Sequence, residues 1–79
     1  MAQIDDKLLQ QSKEKPDHKV AVVLTVDDRF DPSEAKPLGL KEIQAKRLYS
    51  GSLPGKVIVS LSRQTGVLAI EPDFDISVT

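Results

Sequence analysis

The clearest hydrophobic pattern in the chain is an unbroken apolar run, VAVVLTV, at residues 20–26. β-Branched side chains dominate this run on both faces, which is typical of a central strand covered by helices on at least one side. We therefore predict a core strand here. A second apolar run, VLAI at residues 67–70, predicts another strand near the end of the sequence.

The residues before the first strand carry a helical pattern. Ile4, Leu8 and Leu9 fall at helical spacing, and two aspartates stand at the amino end, where the helix dipole favours negative charge. This pattern predicts a short amphipathic helix over about residues 4–13. The segment KEKPDHK at residues 13–19 contains a proline that cannot continue a helix, so we predict a linker there.

The segment DDRFDPSEAKPLG, residues 27–39, follows the core strand and is rich in helix breakers. Its prolines and Gly39 limit any helix to about two turns. Asp31 is placed to cap that helix, and Pro32 would occupy its first position. We therefore predict a helix that is short or irregular.

Two later segments fit more than one structure. In residues 40–53, LKEIQAKRLYSGSL, the spacing of the side chains fits one face of a helix, but their alternation also fits a strand. In residues 54–66, the run Val57-Ile58-Val59 favours a strand, whereas the spacing of Val57, Ile58 and Leu61, with Gly66 as a stop, favours a helix. If this segment is a strand, Thr65-Gly66 forms a hairpin turn into residues 67–70.

Length and composition limit the function. The 79 residues suffice for one small domain, and apolar packing alone must hold the core because there is no cysteine. The formal net charge is −1 and no basic stripe with interleaved aromatics occurs, which argues against nucleic-acid binding. The longest apolar run is too short to span a bilayer, and the N-terminus lacks a secretory signal pattern. If the chain is complete, we expect it to be cytoplasmic.

Groups suited to catalysis are scarce. The single histidine, His18, stands in the polar linker, where a solvated loop residue is expected rather than a base in a concave pocket. Asp27, Asp28 and Asp31 suggest a Ca²⁺ loop, but they lack the ligand spacing of an EF-hand, so a solvated turn with a helix cap is favoured. The glycines form neither a phosphate loop nor a dinucleotide motif. We expect a binding module rather than an enzyme, with no metal and no cofactor.

One longer stretch, GSLPGKVIVSLSRQTGVLAIEPD at residues 51–73, has an ordered series of motifs. A Gly-small-apolar element at residues 51–53 leads into a helix-like segment with an apolar residue at about every fourth position. A Gly-Val step at residues 66–67 opens a last strand, which closes on apolar-Glu-x-Asp at residues 70–73. In this order and without gaps, the stretch resembles the second half of the subtilisin propeptide family, which includes free-standing inhibitors of subtilisin-type serine proteases.

The resemblance extends over about residues 19–79 and leaves residues 1–18 as a separate helical leader and linker. It implies that residues 40–49 form a strand and residues 56–64 a helix. The implied fold class is α+β, a ferredoxin-like antiparallel sheet with two helices on one face, preceded by the short N-terminal helix. One core layer is then expected to contain Val20, Val22, Leu24, Ile43, Ile58, Leu61, Val67 and Ile70.

The resemblance also implies a role for the end of the chain. In the family, the sheet packs on two surface helices of the protease and the C-terminal tail enters the active-site cleft like a substrate. Glu71 and Asp73 would cap the N-termini of those partner helices. The protease-binding tail would comprise Phe74, Asp75, Ile76, Ser77, Val78 and Thr79.

The expected function is therefore binding and inhibition of a subtilisin-like serine protease by a chain that is monomeric when free. Assistance to the folding of that protease is a second expected role. The alternative is a non-inhibitory adaptor with a propeptide-like fold, in which the leader docks on another protein through Leu8 and Leu9. The inhibitor requires its tail, whereas the adaptor does not.

Overall fold

The computed structural model of the protein describes residues 2–45 and 47–73. Within these residues the chain is α+β, with five strands, two α-helices and one 3₁₀ turn. In chain order the elements are β1 (Gln3–Ile4), α1 (Asp6–Glu14), β2 (Lys19–Val26), the 3₁₀ turn (Pro32–Glu34), β3 (Lys41–Gln44), β4 (Leu48–Pro54), α2 (Gly55–Ser62) and β5 (Val67–Pro72).

The five strands form one mixed sheet in the order β1-β5-β2-β4-β3. Strand β2 lies at its centre, and all neighbouring pairs are antiparallel except β1 with β5, which is parallel. The prediction of a wholly antiparallel sheet is therefore wrong, because β1 is parallel to β5. The sequence pattern missed β1 because only two residues of the leader pair with the sheet.

The core lies between one face of the sheet and the helices. Alternate residues of β2 are fully buried, and α2 packs against β4 and β5 while α1 packs against α2. This burial agrees with the period-2 alternation of a strand that is covered on one face. The buried apolar residues form one cluster, which contains Ala2, Leu8, Val22, Leu24, Val26, Phe30, Ala35, Tyr49, Leu53, Ile58, Leu61, Val67 and Ile70.

The residues before β2 hold α2 at both of its ends. The Ala2 N–H donates to the carbonyl oxygen of Ser62 at 2.9 Å, at the carboxyl end of α2. At the amino end, the Gly55 N–H donates to the His18 carbonyl at 3.1 Å and the Lys56 N–H to the Pro16 carbonyl at 3.0 Å. These bonds satisfy helix-end groups that have no partner inside the helix.

Helices α1 and α2 approach each other closely at Gly55. A Cβ atom built on Gly55 would collide with the backbone oxygen of Ser12 and lie 2.8 Å from the Lys15 carbonyl oxygen. Ser12 is 1% exposed, and its hydroxyl is buried without a hydrogen-bond partner. The contact therefore depends on the absence of a side chain at residue 55.

The prediction of one strand at residues 40–49 is wrong. The chain forms two antiparallel strands there, and β3 pairs with β4 through Lys41 with Ser50 and Glu42 with Tyr49. The connecting sequence QAKR contains none of the Gly, Asn, Asp or Pro residues that usually mark a hairpin. An alternating pattern that continues through such a connection does not reveal the change of direction.

The placement of Ile43 in the core is also wrong, because this side chain is 57% exposed. Ile43 stands at an irregularity of β3 and has no residue opposite it in β4, so the alternation of the strand does not place it in the core. Tyr49 packs against Phe30 with ring centroids 5.5 Å apart, and its hydroxyl donates to the Glu42 carboxylate at 3.4 Å. Burial, reinforced by Glu42, raises the pKa of Tyr49.

The remaining predictions for the central segments are confirmed. The Asp31 carboxylate accepts a hydrogen bond from the Ser33 N–H at 2.9 Å and caps the single 3₁₀ turn. The helical alternative for residues 54–66 is correct, so the alternative with a strand and a Thr65-Gly66 hairpin is wrong. Strand β5 forms as predicted and extends to Pro72.

Candidate protein-binding face

One face of the sheet lies opposite the helices, and we call it the open face. It is formed by the strand residues that alternate with the core residues, so its side chains point away from α1 and α2. Among the described residues, both helices pack on the other side. The open face comprises Lys41 of β3, Leu48, Ser50 and Ser52 of β4, Ala21, Val23 and Thr25 of β2, and Ala69 and Glu71 of β5.

The centre of the open face carries small side chains. Val23 pairs with Ser50 on one side and with Glu71 on the other, and Ser50 also pairs with Lys41. Four strands therefore place Glu71, Val23, Ser50 and Lys41 in one row across the sheet. The row begins with a carboxylate and ends with an ammonium group.

The predicted capping residues lie on or beside the open face. Glu71 is exposed in β5, and Asp73 follows Pro72 with its N–H donating to the Ala21 carbonyl at 2.9 Å. Residues two apart along an extended chain point to the same side, about 7 Å from each other. This spacing is close to the about 8–10 Å that separates the axes of two packed helices. The two carboxylates are therefore separated by slightly less than the spacing of two packed helices.

The proline between these acids has a place in the sheet. Pro72 pairs with Val22 of β2 on one side. On its other side β1 pairs with β5 only through Gln3 with Ala69 and Ile4 with Ile70, so it ends before Pro72. Proline has no N–H and is tolerated where no such ladder bond is required. The predicted tail, Phe74 to Thr79, lies outside the described residues.

The other singled-out polar residues are away from the open face. His18 is exposed in the linker. The Asp27 carboxylate binds the Arg29 guanidinium at 2.7 Å, and this hydrogen bond lowers the pKa of Asp27. Since Asp27 binds Arg29 and Asp31 caps the 3₁₀ turn, both acids have local partners. Within residues 2–45 and 47–73, acidic and histidine side chains form no cluster suited to a metal ion.

The two leader leucines that the adaptor alternative uses differ in their burial. Leu8 is 3% exposed and belongs to the core of the domain, whereas Leu9 is half-buried. The Leu8 side chain therefore contacts the chain's own core rather than a surface available to another protein.

Sequence reasoning missed the end of the open face formed by β3. Lys41 lies there, and Ile43 of the same strand, which the hydrophobic pattern assigns to the core, is exposed. A signal was present, because the segment carries Lys41 and Glu42, and charged residues are typical of edge strands.

Comparison of the chain with protein-family models, with curated proteins and with solved structures finds no significant match. No helix in the described part of the chain has both the length and the apolar character needed to cross a membrane.

Proposed function

We propose that this protein binds and inhibits a subtilisin-like serine protease and assists the folding of that protease. The observation that carries the proposal is the position of the open face relative to the end of β5. The same strand contributes Glu71 to this face and leads directly to Asp73 and residues 74–79. A partner that covers the open face would therefore also receive the end of the chain.

The strand arrangement supports a ferredoxin-like fold, which is the fold that the resemblance to the propeptide family implies. Without β1, the sheet order is β5-β2-β4-β3, and every neighbouring pair is antiparallel. This is the strand order of a βαββαβ unit with its helices on one face. The first helix of that unit is replaced by the 3₁₀ turn at Pro32–Glu34, while α1 from the leader packs beside α2.

The first contact in the proposed complex is between the open face and two surface helices of the protease. Small side chains at the centre of the face allow those helices to approach the sheet closely. Glu71 and Asp73 would each receive N–H groups from one helix N-terminus, where the helix dipole also favours a negative charge. These two contacts would fix the direction in which the chain continues after β5.

The second contact is between the tail and the active-site cleft. An extended peptide adds to the edge of such a cleft through main-chain hydrogen bonds, with alternate side chains in pockets. With Thr79 nearest the catalytic serine, Ile76 falls at the fourth subsite, which in subtilisin-like enzymes accepts an apolar group. Inhibition persists because the folded domain holds the tail in place and lowers the ordering cost of binding.

Deletion of Ile76 to Thr79 tests whether inhibition depends on the tail. The intact chain should slow hydrolysis of a peptide substrate by a broad-specificity subtilisin, and the truncated chain should not. Progress curves at several inhibitor concentrations measure both inhibition constants. Equal inhibition by the two proteins would contradict the proposed role of the tail.

Removal of both carboxylates should shorten the lifetime of the complex. In the double variant Glu71→Gln and Asp73→Asn, two helix caps of about 0.7 kcal/mol each are lost, so the dissociation rate constant should rise about tenfold. Surface plasmon resonance with immobilised protease measures this rate. Glu14→Gln is the matched control, because Glu14 is an exposed carboxylate on α1. An unchanged dissociation rate in the double variant would show that the carboxylates do not cap the partner.

A further inference from the structure

The open face carries one charge at each end of its central row. Glu71, Val23, Ser50 and Lys41 lie side by side on four adjacent strands. Glu71 and Lys41 are exposed, and neither forms an ion pair within residues 2–45 and 47–73. Three interstrand spacings, about 14 Å, separate the two residues, which is too far for their side chains to meet.

This row is complementary to itself when two open faces meet. A two-fold axis that runs between the faces, parallel to the strands, places each end of the row over the opposite end in the second copy. Glu71 of each copy then faces Lys41 of the other, so two equivalent ion pairs form. An axis perpendicular to the strands would instead place carboxylate over carboxylate and ammonium over ammonium. The charges therefore favour one orientation of the two copies.

The middle of the face suits the packing of one sheet on another. Stacked sheets lie about 10 Å apart with their strands nearly aligned. In the favoured orientation Val23 faces Ser50 of the second copy, and Thr25 faces Leu48, because each of these pairs lies side by side on β2 and β4. Val23 and Leu48 are half-buried in the single chain, so contact with a second copy would cover their remaining apolar surface.

Charge and area indicate a weak dimer. The formal net charge is −1, so two copies repel each other little. Four strands with about six residues along each give the face a footprint of about 400 Å², and two copies would bury about 800 Å². Stable complexes bury about 1,200 Å² or more, so we expect a dissociation constant of about 0.1–1 mM. The chain is then monomeric at the concentrations of an inhibition assay.

We infer that the open face binds a second copy of this chain, in a two-fold symmetric dimer with an ion pair between Glu71 and Lys41 at each end. This inference goes beyond the proposed function, because the occupant is the chain itself. The dimer covers the face that a protease would contact, so the two complexes exclude each other. Self-association thus covers this face wherever the chain is concentrated.

Reversal of one charge at a time tests the orientation. Sedimentation equilibrium of the intact chain from about 20 μM to about 2 mM, at low salt, should show the average mass rising towards twice that of one chain. Glu71→Lys and Lys41→Glu each place like charges at both ends of the dimer, so each should raise the dissociation constant at least about tenfold. Lys13→Glu on α1, the matched control, makes the same charge change as Lys41→Glu and should leave the constant within about twofold.

An equimolar mixture of the Glu71→Lys and Lys41→Glu proteins is the decisive sample. Both ends of the mixed dimer carry opposite charges, so the mixture should associate although neither variant does so alone. Circular dichroism shows that each variant is folded. An intact chain that stays monomeric at 2 mM, single variants that associate like the intact chain, or a mixture that does not associate would each overturn the dimer. These outcomes leave the proposed inhibition untouched, and absence of inhibition leaves the dimer untouched, so the two failures are distinguishable.

Discussion

A chain that begins at residue 19 should not fold, although the resemblance to the propeptide family starts there. Three interactions join the leader to the rest of the domain: β1 pairs with β5, Leu8 lies in the core, and main-chain groups of the leader bond both ends of α2. A domain of this size is stable by about 5 kcal/mol. Loss of Leu8 burial alone removes about 1.5–3 kcal/mol, before any of the hydrogen bonds are considered.

Circular dichroism and urea titration of residues 19–79 measure this effect. The expected spectrum is that of a largely unfolded chain without a cooperative transition. Two point variants of the full chain show whether stability is lost through missing core packing rather than through the shorter chain. Leu8→Ala should lower the free energy of unfolding by about 2–4 kcal/mol, whereas Leu9→Ala at a half-buried position should cost about 1 kcal/mol. A cooperative transition at an unchanged urea midpoint in residues 19–79 would show that the leader is dispensable.

Gly55→Ala should destabilise the protein even though alanine is the better helix former. Helix propensity alone predicts a gain of at most about 1 kcal/mol, the value for a helix interior, because Gly55 is the first residue of α2. The new methyl group, however, would collide with the backbone oxygen of Ser12 and lie 2.8 Å from that of Lys15. Backbone atoms cannot rotate away, so α1 must move from α2, at a net cost of about 1–3 kcal/mol.

Ser12→Ala is the matched control for this interface. It removes a buried hydroxyl that has no hydrogen-bond partner, so the free energy of unfolding should be unchanged or higher. Urea midpoints of the two variants and the parent protein give the comparison. A Gly55→Ala protein more stable than the parent would mean that α1 and α2 do not pack as closely as described.

The proposed inhibition depends on the stability of the domain. Proteases cleave unfolded chains, and the rate depends on how often the domain opens. Variants that loosen α1 should therefore be digested by the target protease faster than they dissociate from it. In this way the leader, which lies outside the region of resemblance, supports the proposed activity of the opposite end of the chain.

The apolar strands were predictable because their residues encode them directly. The β-branched run at residues 20–26 and the run at residues 67–70 each form a strand, and the resemblance correctly selected a helix for residues 56–64. The Asp31 cap was also predictable, since a capping side chain acts on its own next residues.

The missed features depend on groups that a side-chain pattern does not describe. The bonds from Ala2, and to the carbonyls of Pro16 and His18, are made by main-chain atoms, so nothing in the sequence marks them. The turn between β3 and β4 lacks the usual turn residues. The prediction that Ile43 lies in the core is wrong because hydrophobicity predicts burial, although single apolar side chains are also common on protein surfaces.

The central claim, that this protein inhibits a subtilisin-like protease, is tested most directly by titrating a broad-specificity subtilisin with the intact chain and measuring residual activity. We expect activity to fall in proportion to added protein, to reach a minimum near one chain per enzyme molecule, and to stay low for hours. Full activity at a large excess of folded protein, or rapid digestion of the chain as a substrate, would contradict it.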